Sequence, residues 1–428
     1  MSAASDPAAL GAVAAIAAIR EGSLKSQTLV QACLARIAER ESTLEAWAQL
    51  DAEGALRAAR DRDRERPTGL LHGLPIAVKD VIDVAGLATG CGSPIHAGAI
   101  ARVDAACVAA ARAAGAVILG KTHTAELANT EPPPTRNPWA ISHTPGGSSS
   151  GSAAAVADRM VTLAFGTQTA GSTIRPAAYC GIVGYKPSFG RINRAGLKFS
   201  AESLDTIGLM GRSVADVALF GQALTGLAAA PDSDPARLRI GLHRGPFRDQ
   251  ASRPAQAALE EVAQRLAAAG ARVTAFEPDW AGDRLREAQQ TVMLFELARA
   301  SRWEWEQARG DLSERFRANV ERGLAIDAQA HERALRHVAD ARALATTELK
   351  DLDGILTFAA PGEAPQGLSS TGDSVFNRIW TALGLPCLSL PAGLGPQGLP
   401  LAVQWVGLPW SDAATLASAL AIERVLGR

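Results

Sequence analysis

Beyond residue 70 the chain alternates short apolar runs with helical stretches, a pattern that a β-sheet flanked by helices accommodates. LPIAV (74–78) comes first, the helical VDAACVAAARAAG (103–115) leads into AVILG (116–120), and VTLAFG (161–166) follows. LRIGLH (238–243), a helix over about 255 to 269 and ARVTAFE (271–277) extend the series. Such an alternation predicts an α/β fold, with a large mixed or mainly parallel β-sheet covered by helices on both faces. GILTF (354–358), CLSLPAG (387–393) and LAVQWVG (401–407) read as further core strands, closed by a helix starting near Ser411.

The first seventy residues read as helices around one half-buried strand, LEAWAQLD (44–51), ending in the solvated charge run RAARDRDRERP (57–67). ALGAVAAIAAI (9–19) is too short to cross a bilayer, and Asp6 stands where a signal peptide would carry positive charge. It reads as an N-terminal helix with Ser5 as cap and Pro7 in its first turn. Residues 71–230 hold the chemistry-bearing core. Residues 281–350 read as an arginine- and glutamate-rich helical insertion that either caps the pocket or, through Trp303 and Trp305, forms a subunit interface. A length of 428 residues allows about three domains, but α/β enzymes of this size often form one unit, and a single domain over 1–428 is expected.

A net charge of −1 without any basic block gives no reason to expect nucleic acid or an anionic membrane as partner. Five cysteines (33, 91, 107, 180 and 387) lack CxxC spacing, so neither a disulfide framework nor a zinc site is expected. Free thiols fit a reducing cytoplasm.

One residue disturbs the apolar pattern. Lys79 interrupts LPIAVKDVIDVAG, although an ammonium is almost never buried unpaired. The chain has only six lysines against thirty-seven arginines, so a mere positive charge at 79 would be expected as arginine. A lysine there suggests chemistry in which the proton leaves. The competing reading is a lysine that snorkels to Asp80 or caps a strand end.

TEPPPTRNPWAISHTPGGSSSGS (130–152) has neither helical nor strand period, and a loop of that length inside a compact domain is usually functional or disordered. It reads as a flexible linker entering a helix near Ser150, or as a G-x-S-x-G elbow with Ser149 as nucleophile, a weak match because no buried strand precedes it. A third reading joins it to LAFGTQTAGSTIRPAAYCGIVGYKP (163–187) and to Lys79. There a strand opens into a Gly/Ser turn whose consecutive N–H groups can hold an oxyanion. Ser172 at its end is either a nucleophile or the N-cap of a helix starting near Arg175 and Pro176.

GGSSSGSAAAVA and GTQTAGSTIRPAAYCGIVGYKPSFG, with AVKDVIDVAG upstream, resemble the amidase signature family of Ser–Ser–Lys hydrolases, closest to malonamidase-type members. The resemblance covers nearly the whole chain and extends to STGDSVFNRIWTALGLPCLSLP (370–391). It implies that fold, a catalytic triad of Lys79, Ser148 and Ser172, and a cis peptide bond at Gly147–Ser148. Gly147 and Arg175 would lie at the substrate, with Arg175 facing a substrate carboxylate; a structural ion pair near the helix start is the other reading of that arginine. Gln168, where many relatives carry an aspartate, also resembles the malonamidase-type subgroup; one position departs from the common pattern, Ala170 in place of the first glycine of GGS, so that a methyl group faces the acyl site or its wall.

A serine hydroxyl needs a base, and no histidine here has a motif partner. A lysine at its reference pKa of ~10.4 is neutral in about one molecule per thousand near pH 7, so burial among Leu74, Ile76, Val78 and Val81 must supply the correction. In this reading Ser172 attacks a carboxamide and Ser148 relays its proton to Lys79. The N–H groups of Thr169, Ala170, Gly171 and Ser172 receive the oxyanion, and no metal or organic cofactor is needed. Ammonia or an amine leaves a seryl acyl-enzyme. Ester, carbamate or ureide hydrolysis by the same triad is the nearest rival. An inactive scaffold paralogue is another. A third is one component of a glutamyl-tRNA amidotransferase, although the chain has only Tyr179 and Tyr185 where such components are tyrosine-rich. The resemblance further implies a homodimer.

Overall fold

The computed structural model describes residues 6–228 and 233–427. Eleven strands among them form one sheet: β1 (Trp47–Leu50), β2 (Pro75–Lys79), β3 (Val117–Thr122), β4 (Leu163–Gln168), β5 (Val183–Lys186), β6 (Thr206–Gly211), β7 (Arg239–Leu242), β8 (Arg272–Ala275), β9 (Gly354–Phe358), β10 (Cys387–Leu394) and β11 (Pro400–Val406). Their spatial order is β1-β3-β2-β4-β6-β5-β10-β11-β9-β7-β8. The sheet is mixed. Parallel pairing holds β3, β2 and β4 together, and again β9, β7 and β8. The strands between β4 and β9 pair antiparallel.

Every residue of β2, β3, β4, β5, β6 and β9 is buried, which requires cover on both faces and explains why these runs lack apolar–polar alternation. The edge strands β1 and β8 keep exposed residues instead. Helices α1 (Ala12–Glu21), α2 (Ser26–Leu44), α3 (Ala52–Arg64) and α4 (Ala106–Ala113) precede the serine-rich loop. α5 (Ser150–Ala157), α6 (Ile174–Cys180), α7 (Val214–Thr225) and α8 (Arg253–Ala268) follow it. Then come α9 (Asp283–Ala300), α10 (Arg302–Gln307), α11 (Glu314–Leu324) and α12 (Ala328–Glu348), and finally α13 (Arg378–Ala382) and α14 (Asp412–Val425).

The structure differs from the sequence reading at the N-terminal helix and in the middle of the sheet. The N-terminal helix begins at Ala12, after a 3-10 turn over Pro7–Ala9 capped by Asp6, whose Oδ1 accepts from the Ala8 amide at 3.0 Å. The expected cap, Ser5, lies outside the described residues. Strands β5 and β6 were not expected from the sequence: VGYK is short and lysine-ended, and TIGLMG carries two glycines, so neither shows a strand-like pattern. Those glycines have a packing reason. A Cβ at Gly184 would come within 2.6 Å of the Ala177 Cβ, and one at Gly208 would collide with the Thr173 side chain, so both let α6 lie close on the sheet.

The helices after residue 281 share a core with the signature region. Leu285, Val292 and Val338 pack in one hydrophobic cluster with Ile174 and Tyr179 of α6 and Ile379 and Trp380 of α13. Burial of such side chains is worth about 1.5–3 kcal/mol each, enough to hold α9 over the turn that carries Ser172. Trp303 remains exposed at 57%. No helix of the described residues is long and apolar enough to cross a membrane.

Candidate active site

Lys79 is the last residue of β2, in the parallel part of the sheet, where Val78 pairs with Phe165 of β4. Its side chain is fully buried. The ammonium nitrogen lies 2.7 Å from Ser148 Oγ and 2.6 Å from Thr167 Oγ1. Asp80 does not compensate it: that carboxylate pairs with Lys121 Nζ at 3.0 Å. Burial pushes Lys79 down to about 7, and the field of Asp205, which favours the charged form, offsets only part of that. The amine is therefore substantially neutral at physiological pH.

Ser148 follows a cis peptide bond at Gly147–Ser148 and is fully buried. The loop that carries it needs its glycines. Gly146 has φ +82°, and a Cβ on Gly147 would approach Thr371 Cγ2 to 2.6 Å. Ser149 is also sealed, and its hydroxyl is engaged with the backbone of β4, bonding the Thr167 carbonyl at 3.3 Å and accepting from the Thr167 amide at 3.2 Å. That removes Ser149 as a nucleophile. The helix expected near Ser150 starts there as α5.

Ser172 is not the cap of α6. The first free amides of that helix, Thr173 and Ile174, both donate to Gln168 Oε1, at 2.9 and 3.0 Å, so the carboxamide does the capping. The Gln168 amide nitrogen donates in turn to Thr381 Oγ1 at 3.0 Å. Ser172 is thereby left on the wall of a cavity of about 290 Å³ that Thr169, Ala170 and Arg175 also line. Gly147 is absent from that wall and contributes its carbonyl to Arg175 instead.

The backbone of the turn over residues 169–172 is held through its carbonyls. Thr169 O accepts from Gln289 Nε2 at 3.0 Å, Ala170 O from Thr381 Oγ1 at 2.7 Å, Gly171 O from the Arg175 amide at 2.9 Å and Ser172 O from the Ser149 amide at 3.3 Å. None of the four N–H groups has a hydrogen-bond partner among the described residues. Such a set of fixed, unspent donors suits a developing negative charge. Gly171 is required because Asn377 leaves no room for a Cβ there, whereas Ala170 carries its methyl at the edge of the cavity.

Arg175 is buried, and Nη2 donates to Gly147 O at 2.6 Å and to Thr371 Oγ1 at 3.1 Å, while Nε has no partner. No carboxylate pairs with it among the described residues, which removes the structural ion pair as its explanation. Sequence reasoning missed Thr167, Asp205, Gln289, Thr371 and Arg378. Asp205 accepts the Thr169 hydroxyl at 2.5 Å and the amides of Ser200 and Ala201 at 2.6 and 3.1 Å; burial pushes it up to about 6. One signal was available: Arg378 interrupts VFNRIWTALGL as Lys79 interrupts its strand. Among the described residues no three His, Cys, Asp or Glu side chains cluster to hold a metal.

The Amidase family model matches residues 28–416. The chain belongs to this family, the amidase signature enzymes. A glutamyl-tRNA(Gln) amidotransferase component from Chloroflexus aggregans is 32% identical over 466 residues, covering 96% of this chain and 95% of that protein. Among solved structures, the native peptide amidase of Stenotrophomonas maltophilia superposes with a TM-score of 0.83 at 32% identity, covering 97% of this chain and 96% of that one. A 6-aminohexanoate cyclic dimer hydrolase complexed with substrate gives a TM-score of 0.88 at 25% identity over 99% and 98% of the two chains. The mixed eleven-stranded sheet with its helices is the fold of these enzymes, and the protein is a hydrolase of amide C–N bonds.

Proposed function

We propose that this amidase hydrolyses a small, carboxylate-bearing carboxamide, malonamate-like in chemistry, through an acyl-enzyme on Ser172. Neutral Lys79 takes the Ser148 proton as Ser148 takes that of Ser172, and the Ser172 oxygen attacks the amide carbonyl. The oxyanion collects the unspent N–H groups of Thr169, Ala170, Gly171 and Ser172. The proton returns through Ser148 to the departing ammonia or amine, and water deacylates the enzyme by the same relay. Arg175 binds the substrate carboxylate, since its guanidinium is buried at the cavity without a counter-charge. The observation that carries this reading is a sealed lysine, pushed down to about 7, within 2.7 Å of a serine hydroxyl.

The test is product release from dicarboxylic monoamides, neutral aryl amides, ureides and esters. Ser172→Ala should lose about 10⁴-fold or more in kcat on the best amide. Arg175→Ala should lose at least about tenfold more kcat/KM on carboxylated than on neutral amides. Turnover surviving in Ser172→Ala refutes the nucleophile; equal losses across the panel refute the role of Arg175; preference for esters or ureides reassigns the substrate. Similarity to the Chloroflexus amidotransferase component over nearly its whole length supports a second reading, glutamine hydrolysis feeding a transfer, and glutamine belongs in the same panel.

A further inference from the structure

A second guanidinium opens onto the cavity that holds Ser172. Arg378, the first residue of α13, lines it together with Arg175. Its Nη1 reaches Gln289 Oε1 at 2.9 Å and Met293 Sδ at 4.0 Å, while Nε and Nη2 donate to nothing among the described residues. Those two nitrogens form the side-on edge of the fork, the edge that meets a carboxylate with two parallel hydrogen bonds. Arg175 is differently placed. Both Nη2 protons are committed to Gly147 O and Thr371 Oγ1, so its fork is already half engaged.

Neither cation is ion-paired among the described residues. The acid whose field reaches both is Asp373, an exposed residue on the rim, while burial and the like charge of Arg175 push Arg378 down to about 10. Two partly dehydrated like charges facing one cavity are unfavourable unless a counter-ion joins them. Among the described residues no carboxylate forms an ion pair with either arginine, and Asp373 is a single exposed charge between two cations, so one charge is left for a ligand to balance. Gln289 lies between Arg378 and the oxyanion turn: its Oε1 accepts from Arg378 while its Nε2 holds the Thr169 carbonyl.

We propose that Arg378 is a second anion subsite, separate from Arg175, so that the preferred substrate is a small amide carrying two acidic groups. The cavity of about 290 Å³ is at the low end for ligand pockets, which keeps that substrate compact. This inference rests on the reading of Arg175 as a carboxylate anchor.

Calorimetric titration with succinate and glutarate, against butyrate and valerate, tests it without requiring turnover. The wild-type protein should bind the dicarboxylates at least about tenfold tighter than the monocarboxylates of equal length. In Arg378→Gln that preference should fall to within about twofold, with monocarboxylate binding retained. Arg378→Lys, which keeps the charge and loses the fork, should keep part of the preference and serves as the second variant if the first does not fold. A wild-type protein that binds both classes equally or neither, an undiminished preference in Arg378→Gln, or equal weakening of both classes, as one carboxylate shared by both arginines would give, overturns the proposal. Labelling of Ser172 by phenylmethanesulfonyl fluoride, read by mass spectrometry, is run in parallel. Its failure would refute the acyl-enzyme reading and leave the binding result standing.

Discussion

Replacing Lys79 with methionine tests the claim on which the chemistry depends, that this lysine is neutral in the folded protein. Its pKa falls from the ordinary 10.5 to about 7 on burial, a difference equivalent to about 5 kcal/mol at 1.36 kcal/mol per unit. Between pH 7 and 10 the unfolded chain binds a proton at this position that the native state has released. The contribution of this residue to stability therefore rises with pH through that window, by about 1.4 kcal/mol per unit. Lys79→Met removes the effect. It also leaves the Ser148 and Thr167 hydroxyls without their partner, a cost of about 1–3 kcal/mol each that does not vary with pH. The slope, not the offset, carries the information. Urea unfolding of both proteins at pH 7.5, 8.5 and 9.5 should show the wild type gaining about 3 kcal/mol over the variant across the series. That range lies above the titration of Asp205 near 6. A difference that stays flat would mean that Lys79 is charged in the native state, and the general-base assignment would fall with it.

Two further substitutions probe the turn. Ala170→Gly removes the methyl group at the cavity edge and should raise kcat/KM up to about tenfold on acyl groups one methylene larger than the preferred one, with little change on the preferred one; a series of homologous monoamides reads this, and a uniform loss argues that the methyl only stiffens the turn. Asp205→Asn withdraws a negative field that favours charged Lys79, so the acid limb of the kcat/KM profile should move to lower pH, and a limb that stays in place or moves up contradicts the coupling.

Much of the candidate site was legible because its signals are local. Lys79 broke an apolar run, and the serine loops stood out by composition and by their spacing of 24 residues from Ser148 to Ser172. The choice between competing roles was not legible. Whether Ser172 capped α6 depended on Gln168, whose carboxamide reaches the Thr173 and Ile174 amides only after β4 turns back toward the helix. Whether Lys79 was paired depended on Lys121, which claims Asp80 from the neighbouring strand β3. Strands β5 and β6 escaped notice because glycines chosen for close packing of α6 erase the period that marks a strand.

The order of strands and helices, the chemical groups at residues 79, 148 and 172, and the family they imply are properties of the sequence, because periodicity and motif spacing involve neighbours along the chain. Which hydroxyl meets the amine, how far that amine is dehydrated, and which charges stay unbalanced are properties of the tertiary structure alone. Desolvation and Coulomb forces depend on what packs within a few ångströms. Here that is Thr167 and Asp205 for Lys79, and α9 with α13 for the oxyanion turn, segments brought together only when the sheet closes.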